Sequence, residues 1–155
     1  MKAAVIMGST SDLDVMSAAF SVFEDFGVEY EKKVISAHRA PKLLADYISG
    51  ARERGIDVII AGAGGAAHLA GVAAAYTTLP VIGVPISGKA FGGLDALLSI
   101  VQMPSGIPVA TVAVNGAKNA ALLALSIMSI SDKDITGKLA EFRRKQTEAI
   151  ENTTI

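Results

Sequence analysis

Charged side chains are almost absent from the middle of this 155-residue chain. Between Asp57 and Asp132 the only charged residues are Lys89, Asp95 and Lys118. Such a segment must bury most of its surface, either in a membrane or inside a protein. Residues 58–88 are long enough to span a bilayer, but glycines and prolines divide them into short β-rich runs. The pattern therefore favours a central sheet covered on both faces over a transmembrane helix.

Five strand-like apolar runs alternate with helical patterns. The runs cover residues 3–7, 30–35, 58–61, 81–85 and 109–114. One helix begins near Ser11 with Gly27 as its C-cap, and a second begins at Pro41 and closes at Gly55. Further helices fit residues 66–75, 94–102 and 117–128. This alternation predicts one α/β domain over residues 1–155: three layers, α/β/α, around a parallel sheet of about five strands in flavodoxin-like order.

The C-terminal residues predict one more helix, which has no strand after it. Ser131 is its expected N-cap, with Asp134 three residues further on. The inner edge of this helix would pack on its own subunit or reach a neighbouring one. The alanine-rich helices lack a charged face and would hide their apolar surface against another subunit. The sequence therefore predicts a homo-oligomer.

The bulk composition excludes several classes of protein. A net charge of −1 gives no basic footprint for nucleic acid and no acidic tail. The chain has no cysteine, and so no disulfide framework, thiolate metal site or thiol nucleophile. Residues 1–8 form a short apolar run that ends at a glycine, as in a first strand and not a signal peptide. These features are compatible with the cytoplasm.

The loop after the first strand, Gly-Ser-Thr-Ser-Asp over residues 8–12, is a candidate phosphate site. Small hydroxyl residues at a helix N-terminus offer amide donors, hydroxyl donors and the positive end of the helix dipole. The alternative is that Ser11 only caps the helix and Gly8 only makes the turn. The loop has neither the glycine spacing of a dinucleotide fingerprint nor the lysine of a Walker loop.

The chain's two histidines follow the second and third strands. His38 lies beside Arg39, so a group that moves protons near neutral pH adjoins a cation that suits anions. Residues 61–68 form a glycine- and alanine-rich loop that ends at His68 and would let a small, weakly polar ligand approach the backbone. Each histidine also has a structural interpretation, as a surface or interface side chain. Ligands bind at the carboxyl ends of the strands in such sheets, which favours a joint site.

Taken in order, these loops resemble the PurE family, the N5-carboxyaminoimidazole ribonucleotide mutases of bacterial purine biosynthesis. The resemblance runs from the first strand into the last core helix, through several long motifs. The matching segments are MGSTSD (7–12), SAHRAP (36–41), AGAGGAAHLAG (61–71), LPVIGVPI (79–86), LLSIVQMPSGIPVAT (97–111) and KNAALLA (118–124).

The resemblance implies a homo-octamer with active sites at subunit contacts and an isomerisation that needs neither metal nor cofactor. The substrate's carboxylate would move from the exocyclic nitrogen N5 to ring carbon C4, through CO2 trapped in a closed, dry pocket. His38 would carry the proton, and His68 would be a second polar group of the same catalytic site.

The resemblance also implies roles in substrate binding. The ribose 5-phosphate would be held by Gly8, Ser9, Ser11 and Arg39. Asp12 would bind the ribose hydroxyls. The carboxylate or CO2 would be framed by Ser36, Ala37, Ala63, Gly64 and Leu69.

Four segments depart from the family pattern. Ala70 replaces a usual proline, and Ala40 replaces a common threonine. Residues 87–93 differ from the usual serine-containing loop and insert Lys89, while residues 114–117 look like the shorter of two loop versions. None of these removes a proposed catalytic group, but the ligand contacts of residues 87–93 stay open.

Four other functions compete with this interpretation. An AIR carboxylase would use CO2 directly with aminoimidazole ribonucleotide. A flavodoxin-like FMN carrier could use residues 8–12 for phosphate, but aromatic residues are scarce near the strand ends. A response-regulator-like module would need an acidic residue where residues 61–65 stand. In a purely structural oligomer, changes at His38 or Arg39 would alter only stability.

Overall fold

Five strands and six α-helices alternate along the chain in a computed structural model, which describes residues 1–154. The strands are β1 (Lys2–Met7), β2 (Glu29–Val34), β3 (Val58–Gly64), β4 (Val81–Ile86) and β5 (Ala110–Thr111). The helices are α1 (Leu13–Phe26), α2 (Pro41–Ser49), α3 (Leu69–Ala75), α4 (Leu94–Val101), α5 (Ala117–Met128) and α6 (Lys133–Glu151). A short 3-10 turn, Thr10–Asp12, leads into α1.

The strands form one sheet in the order β2-β1-β3-β4-β5, and every neighbouring pair is parallel. This confirms the predicted three-layer fold and its flavodoxin-like strand order. Met7 pairs with Val34 on one side and with Gly62 on the other, so the first three strands end nearly level. The loops that follow them therefore meet at one edge of the sheet.

Alternate residues of the strands supply two apolar cores. From β1, Val5 packs into the core beneath α1 and α5, whereas Ile6 packs into the core beneath α2, α3 and α4. Both side chains are completely buried. The central strands therefore lack a solvent-facing side, which explains their continuous apolar sequence.

The last helix packs on its own subunit. Ile135 and Leu139 of α6 are buried in the core that includes α1 and α5. Phe142 packs against Phe26 with 5.9 Å between the ring centroids, and Lys138 Nζ donates to the Phe26 carbonyl at 2.9 Å. Among residues 1–154, no helix is both long and apolar enough to cross a membrane.

Two predicted boundaries are wrong. The second helix ends at Ser49, and residues 50–55 form turns in which Gly55 has a φ of +76°. Strand β5 is much shorter than the predicted 109–114 because it lies at the sheet edge and its regular pairing with β4 ends at Thr111, shortly before a turn at residues 114–115. Asn115, in a left-handed conformation, donates its backbone N–H to the Pro85 carbonyl at 2.8 Å.

Three predicted helix starts also move. Ser9, and not Ser11, caps the turn that leads into α1. Asp132, and not Ser131, caps α6, because its carboxylate accepts the N–H groups of Asp134 and Ile135. Helix α3 begins at Leu69 instead of residue 66, since the three preceding residues form tight turns. The predicted C-cap Gly27 is confirmed, with a φ of +66°.

Candidate active site

The loops after β1, β2, β3 and β4 surround one cavity of about 470 Å³. All twelve residues that the sequence assigns to the site line it: Gly8, Ser9, Ser11, Asp12, Ser36, Ala37, His38, Arg39, Ala63, Gly64, His68 and Leu69. Their convergence follows from the strand order, because β1 lies between β2 and β3. Their individual roles stay predictions.

The loop after β1 is held by its own hydrogen bonds. Ser9 Oγ accepts the Ser11 N–H at 3.3 Å, while Asp12 Oδ2 accepts the Ser9 N–H at 3.0 Å. The Asp12 N–H donates to the Ser9 carbonyl at 3.2 Å. Three amides of this loop are thus already bonded within it. The Ser11 hydroxyl also donates within the loop, to Ser9 Oγ at 3.0 Å. An anion here would meet less of the backbone than the sequence suggested, and the Ser11 hydroxyl would have to turn to reach it.

Arg39 ties the loop after β2 to the loop after β1. Its Nη2 donates to the Gly8 carbonyl at 3.1 Å, and its Nε donates to Ser36 Oγ at 3.2 Å. The bond to Gly8 confirms that the two loops lie side by side, and the bond to Ser36, in the same loop as Arg39, orients the guanidinium. A guanidinium has five N–H donors, so three remain for a ligand. The arginine is therefore both oriented and available to an anion.

The two histidines, thirty residues apart in sequence, are in direct contact. His38 Nε2 lies 2.7 Å from His68 Nδ1, and the rings are nearly perpendicular at 86°. Since this distance is a hydrogen bond, one of the two nitrogens carries the hydrogen between them. The outer nitrogens, His38 Nδ1 and His68 Nε2, are not used in that bond. The pair can therefore exchange a proton with a ligand while remaining bonded.

The loop after β3 brings His68 back to this edge of the sheet. Gly65 has a φ of +60°, which disfavours a side chain and sharpens the turn. At Gly64 a Cβ would lie 3.2 Å from the Ile86 carbonyl oxygen, so the close approach of β3 to β4 requires a small residue. Ala63 is buried and adds only a methyl group to the wall.

Asp12 is the only charged or polar side chain that is buried among residues 1–154, with 8% of its surface exposed. Burial raises the pKa of its carboxyl above the usual 3.8. Hydrogen bonds from Ser9 and Ser11 and the charge of Arg39 oppose this rise. The carboxylate is held in the wall, where it can accept further hydrogen bonds from a ligand.

The single chain does not form the closed, dry pocket expected from the sequence. His38 and His68 are both exposed, as is Arg39. The reason is that the cavity lies at the sheet edge and loops cover only part of it. A single chain supplies the apolar wall and the polar groups of the cavity, but the entrance of the cavity is open to solvent.

The end of β4 makes a fourth contribution to the cavity, partly from the loop whose ligand contacts the sequence left open. Ile86, Ser87 and Gly88 line the cavity. Asn115 fixes this loop, because its Oδ1 accepts the Ser87 N–H and its Nδ2 donates to Ser87 Oγ, both at 2.9 Å. Extending the strand-end rule to β4 would have found Ser87, but nothing in the local sequence pairs it with Asn115.

Two further properties of the lining bear on ligand class. The described residues form no group of three or more His, Cys, Asp or Glu side chains that could hold a metal ion. Among the residues described as lining the cavity there is no phenylalanine or tyrosine on which an isoalloxazine could stack. The donors that are present suit a small anionic molecule.

Comparison with known proteins identifies the family. The family model for AIR carboxylase matches residues 2–149. The chain belongs to the AIR carboxylase family. Membership confirms the resemblance to PurE proteins that the motifs indicated, and it leaves the flavin-carrier and response-regulator interpretations without support.

Curated relatives of the AIR carboxylase family are similar over most of their length. A Pyrococcus abyssi protein is 66% identical over 142 residues, which cover 92% of this chain and 82% of that protein. A Bacillus subtilis protein is 59% identical over 145 residues, covering 92% and 89% respectively. Both are named N5-carboxyaminoimidazole ribonucleotide mutase.

The fold of this AIR carboxylase family member also matches a solved structure. The crystal structure of Treponema denticola PurE superposes with a TM-score of 0.86 at 30% sequence identity. The match covers 96% of this chain and 93% of that one. Sequence and structure thus agree on the family along nearly the whole chain.

Proposed function

We propose that this protein is an isomerase of purine biosynthesis. It converts N5-carboxyaminoimidazole ribonucleotide to 4-carboxyaminoimidazole ribonucleotide. The observation that carries the proposal is the cavity itself, in which Arg39, two serine hydroxyls and the bonded pair His38 and His68 meet around an alanine- and glycine-rich wall. The names of the P. abyssi and B. subtilis relatives support the same reaction.

The nucleotide end of the substrate is assigned to the loops after β1 and β2. Gly8, Ser9, Ser11 and the free donors of Arg39 hold the 5-phosphate. Asp12 accepts hydrogen bonds from the ribose hydroxyls. An arginine fork and two hydroxyls suit a dianion better than an isolated lysine would, because several donors can share its oxygens.

The carboxylate end is assigned to the remaining wall. Ser36, Ala37, Ala63, Gly64 and Leu69 frame the space in which CO2 is held. The N5–CO2⁻ bond breaks and nitrogen takes up a proton, after which C4 attacks the CO2 and loses its own proton. His38 supplies the first proton and accepts the second, so no net proton is consumed. Trapping the CO2 keeps both reactants together.

The open mouth of the cavity would be closed by neighbouring subunits when the protein assembles. We propose that the protein works as a homo-octamer in the cytoplasm, each chain being one PurE-type domain with its active site at a subunit contact. Helix α4 supports this because Leu94, Leu98 and Val101, spaced to share a face, are about half exposed in the single chain. The alanines of α5 give no such support, since they are buried within their own chain.

The runner-up function is AIR carboxylation, which is the name of the family model. The two reactions differ in substrate. Supplied with purified protein, N5-carboxyaminoimidazole ribonucleotide should be converted directly. Conversion only of aminoimidazole ribonucleotide with bicarbonate would replace the mutase assignment by the carboxylase one, and conversion of neither would overturn both.

A further inference from the structure

The contact between the two histidines fixes which nitrogens are available to a substrate. His38 uses Nε2 for this contact and His68 uses Nδ1. A protonated imidazole has two donors and no acceptor. While His38 is protonated, the bond must therefore run from His38 Nε2–H to His68 Nδ1.

We propose that His68 is a positioning residue, which accepts the His38 Nε2–H in both protonation states and leaves His38 Nδ1 as the nitrogen that exchanges protons with the substrate. This inference rests on the proposed mutase function. The neutral His38 then has a bare Nδ1, ready to act as a base, and the hydrogen between the rings need not move during the cycle. His68 stays neutral, with its own hydrogen on Nε2.

In this proposal one atom, His38 Nδ1, both donates and accepts the proton that is exchanged with the substrate. Protonated His38 gives the hydrogen on Nδ1 to the departing substrate nitrogen as CO2 leaves. The bare Nδ1 then takes the proton from C4 after C4 has bonded to CO2. His68 contributes by orienting the ring and by accepting a hydrogen bond that strengthens when His38 is charged, as the carboxylate does in a catalytic triad.

The first test needs no substrate. The chain contains only these two histidines, so histidine ring ¹⁵N labelling gives four ring signals. Neutral His38 should be found with its hydrogen on Nε2, and neutral His68 with its hydrogen on Nε2 as well. Finding His38 with its hydrogen on Nδ1 would overturn the proposal, whether or not the protein proves to be a mutase.

The second test compares two substitutions at His68. His68→Asn keeps an acceptor near the Nδ1 position, whereas His68→Leu removes it. We expect His68→Leu to lower kcat at least about tenfold, and by no more than the ~10²–10⁴-fold that acid–base catalysis contributes, with KM nearly unchanged. His68→Asn should stay within a few-fold of the parent kcat.

Two outcomes of this comparison would overturn the proposal. One is full kcat in His68→Leu. The other is an equal loss in both variants while the His38 tautomer stays that of the parent. If His68→Leu does not fold, the ¹⁵N measurement on the parent protein and on His68→Asn still decides the question.

Discussion

At the scale of single residues, His38 separates the proposed chemistry from a structural role. Asparagine keeps a polar side chain at this position but cannot carry a proton at neutral pH. His38→Asn should therefore lower kcat by about 10²–10⁴-fold while the affinity for the nucleotide changes only a few-fold. Steady-state kinetics and calorimetric titration with substrate measure the two quantities.

The control for His38→Asn is Lys42→Gln, which alters an exposed side chain at the start of α2 outside the described cavity lining. It should keep the parent kcat. An active His38→Asn variant would show that the proton moves through another group.

Asp12 gives a second prediction, on stability and pH. Its folded-state pKa lies above its unfolded value near 3.8 because burial disfavours the charged form. At pH values between the unfolded and the folded pKa, the folded protein therefore binds more protons than the unfolded one. The contribution of Asp12 to the free energy of unfolding falls as the pH rises through this range. Asp12→Asn removes that pH dependence.

The free energy of unfolding of Asp12→Asn, minus that of the parent, should therefore increase as the pH is raised from about 4 to about 7.5. Urea unfolding of both proteins at the two pH values measures the difference. Asp14→Asn is the matched control, since it removes an exposed carboxylate from the first turn of the same helix. A stability difference that moves the other way would mean that hydrogen bonds outweigh burial at Asp12.

At the scale of elements, Gly83 sets how closely helices approach the sheet. It lies in β4, and a Cβ there would come 2.3 Å from Ile100 Cγ2 and 3.1 Å from Val109 Cγ1. Gly83→Ala should destabilise the protein by about 1–3 kcal/mol, because α4 must shift to make room. The midpoint of urea unfolding measures this.

Gly137→Ala should have the opposite effect on stability, because there is room for a Cβ at this position. Gly137 lies within α6 with no described atom within 4 Å of the added Cβ. Alanine should stabilise this helix by up to about 1 kcal/mol. Equal effects of the two substitutions would contradict the packing described at Gly83.

The sequence predicts elements well where one physical signal dominates. The apolar runs of β1, β3 and β4 are unambiguous because these strands are covered on both faces. The short β5 and the end of α2 are missed because an edge strand and a series of turns depend on tertiary contacts. Capping by Ser9 and Asp132 is missed by one or two residues, since neighbouring residues could cap equally well.

The candidate site follows the same division. His38, Arg39 and His68 could be predicted because polar groups in loops after parallel strands converge at one edge. The direct bond between the two rings could not, because it depends on side-chain orientation. The hydrogen bonds between Ser87 and Asn115 could not be predicted either, because they too depend on side-chain orientation.

At the scale of the whole molecule, the open cavity and the exposed face of α4 both predict assembly. Sedimentation equilibrium should give a mass eight times that of the chain. Leu98→Glu, which places a charge on a face that is 48% exposed at that position, should give smaller species, whereas Leu98→Met should keep the parent mass. A monomeric parent protein would contradict the proposed assembly.

The central claim is that one carboxyl group moves within this cavity from nitrogen to carbon. The most direct measurement supplies N5-carboxyaminoimidazole ribonucleotide with ¹³C in its carboxylate, in buffer that contains unlabelled bicarbonate. We predict 4-carboxyaminoimidazole ribonucleotide that retains the label, because the CO2 is recaptured before it escapes. A product that carries carbon from the buffer, or no conversion of the labelled substrate, would contradict the claim.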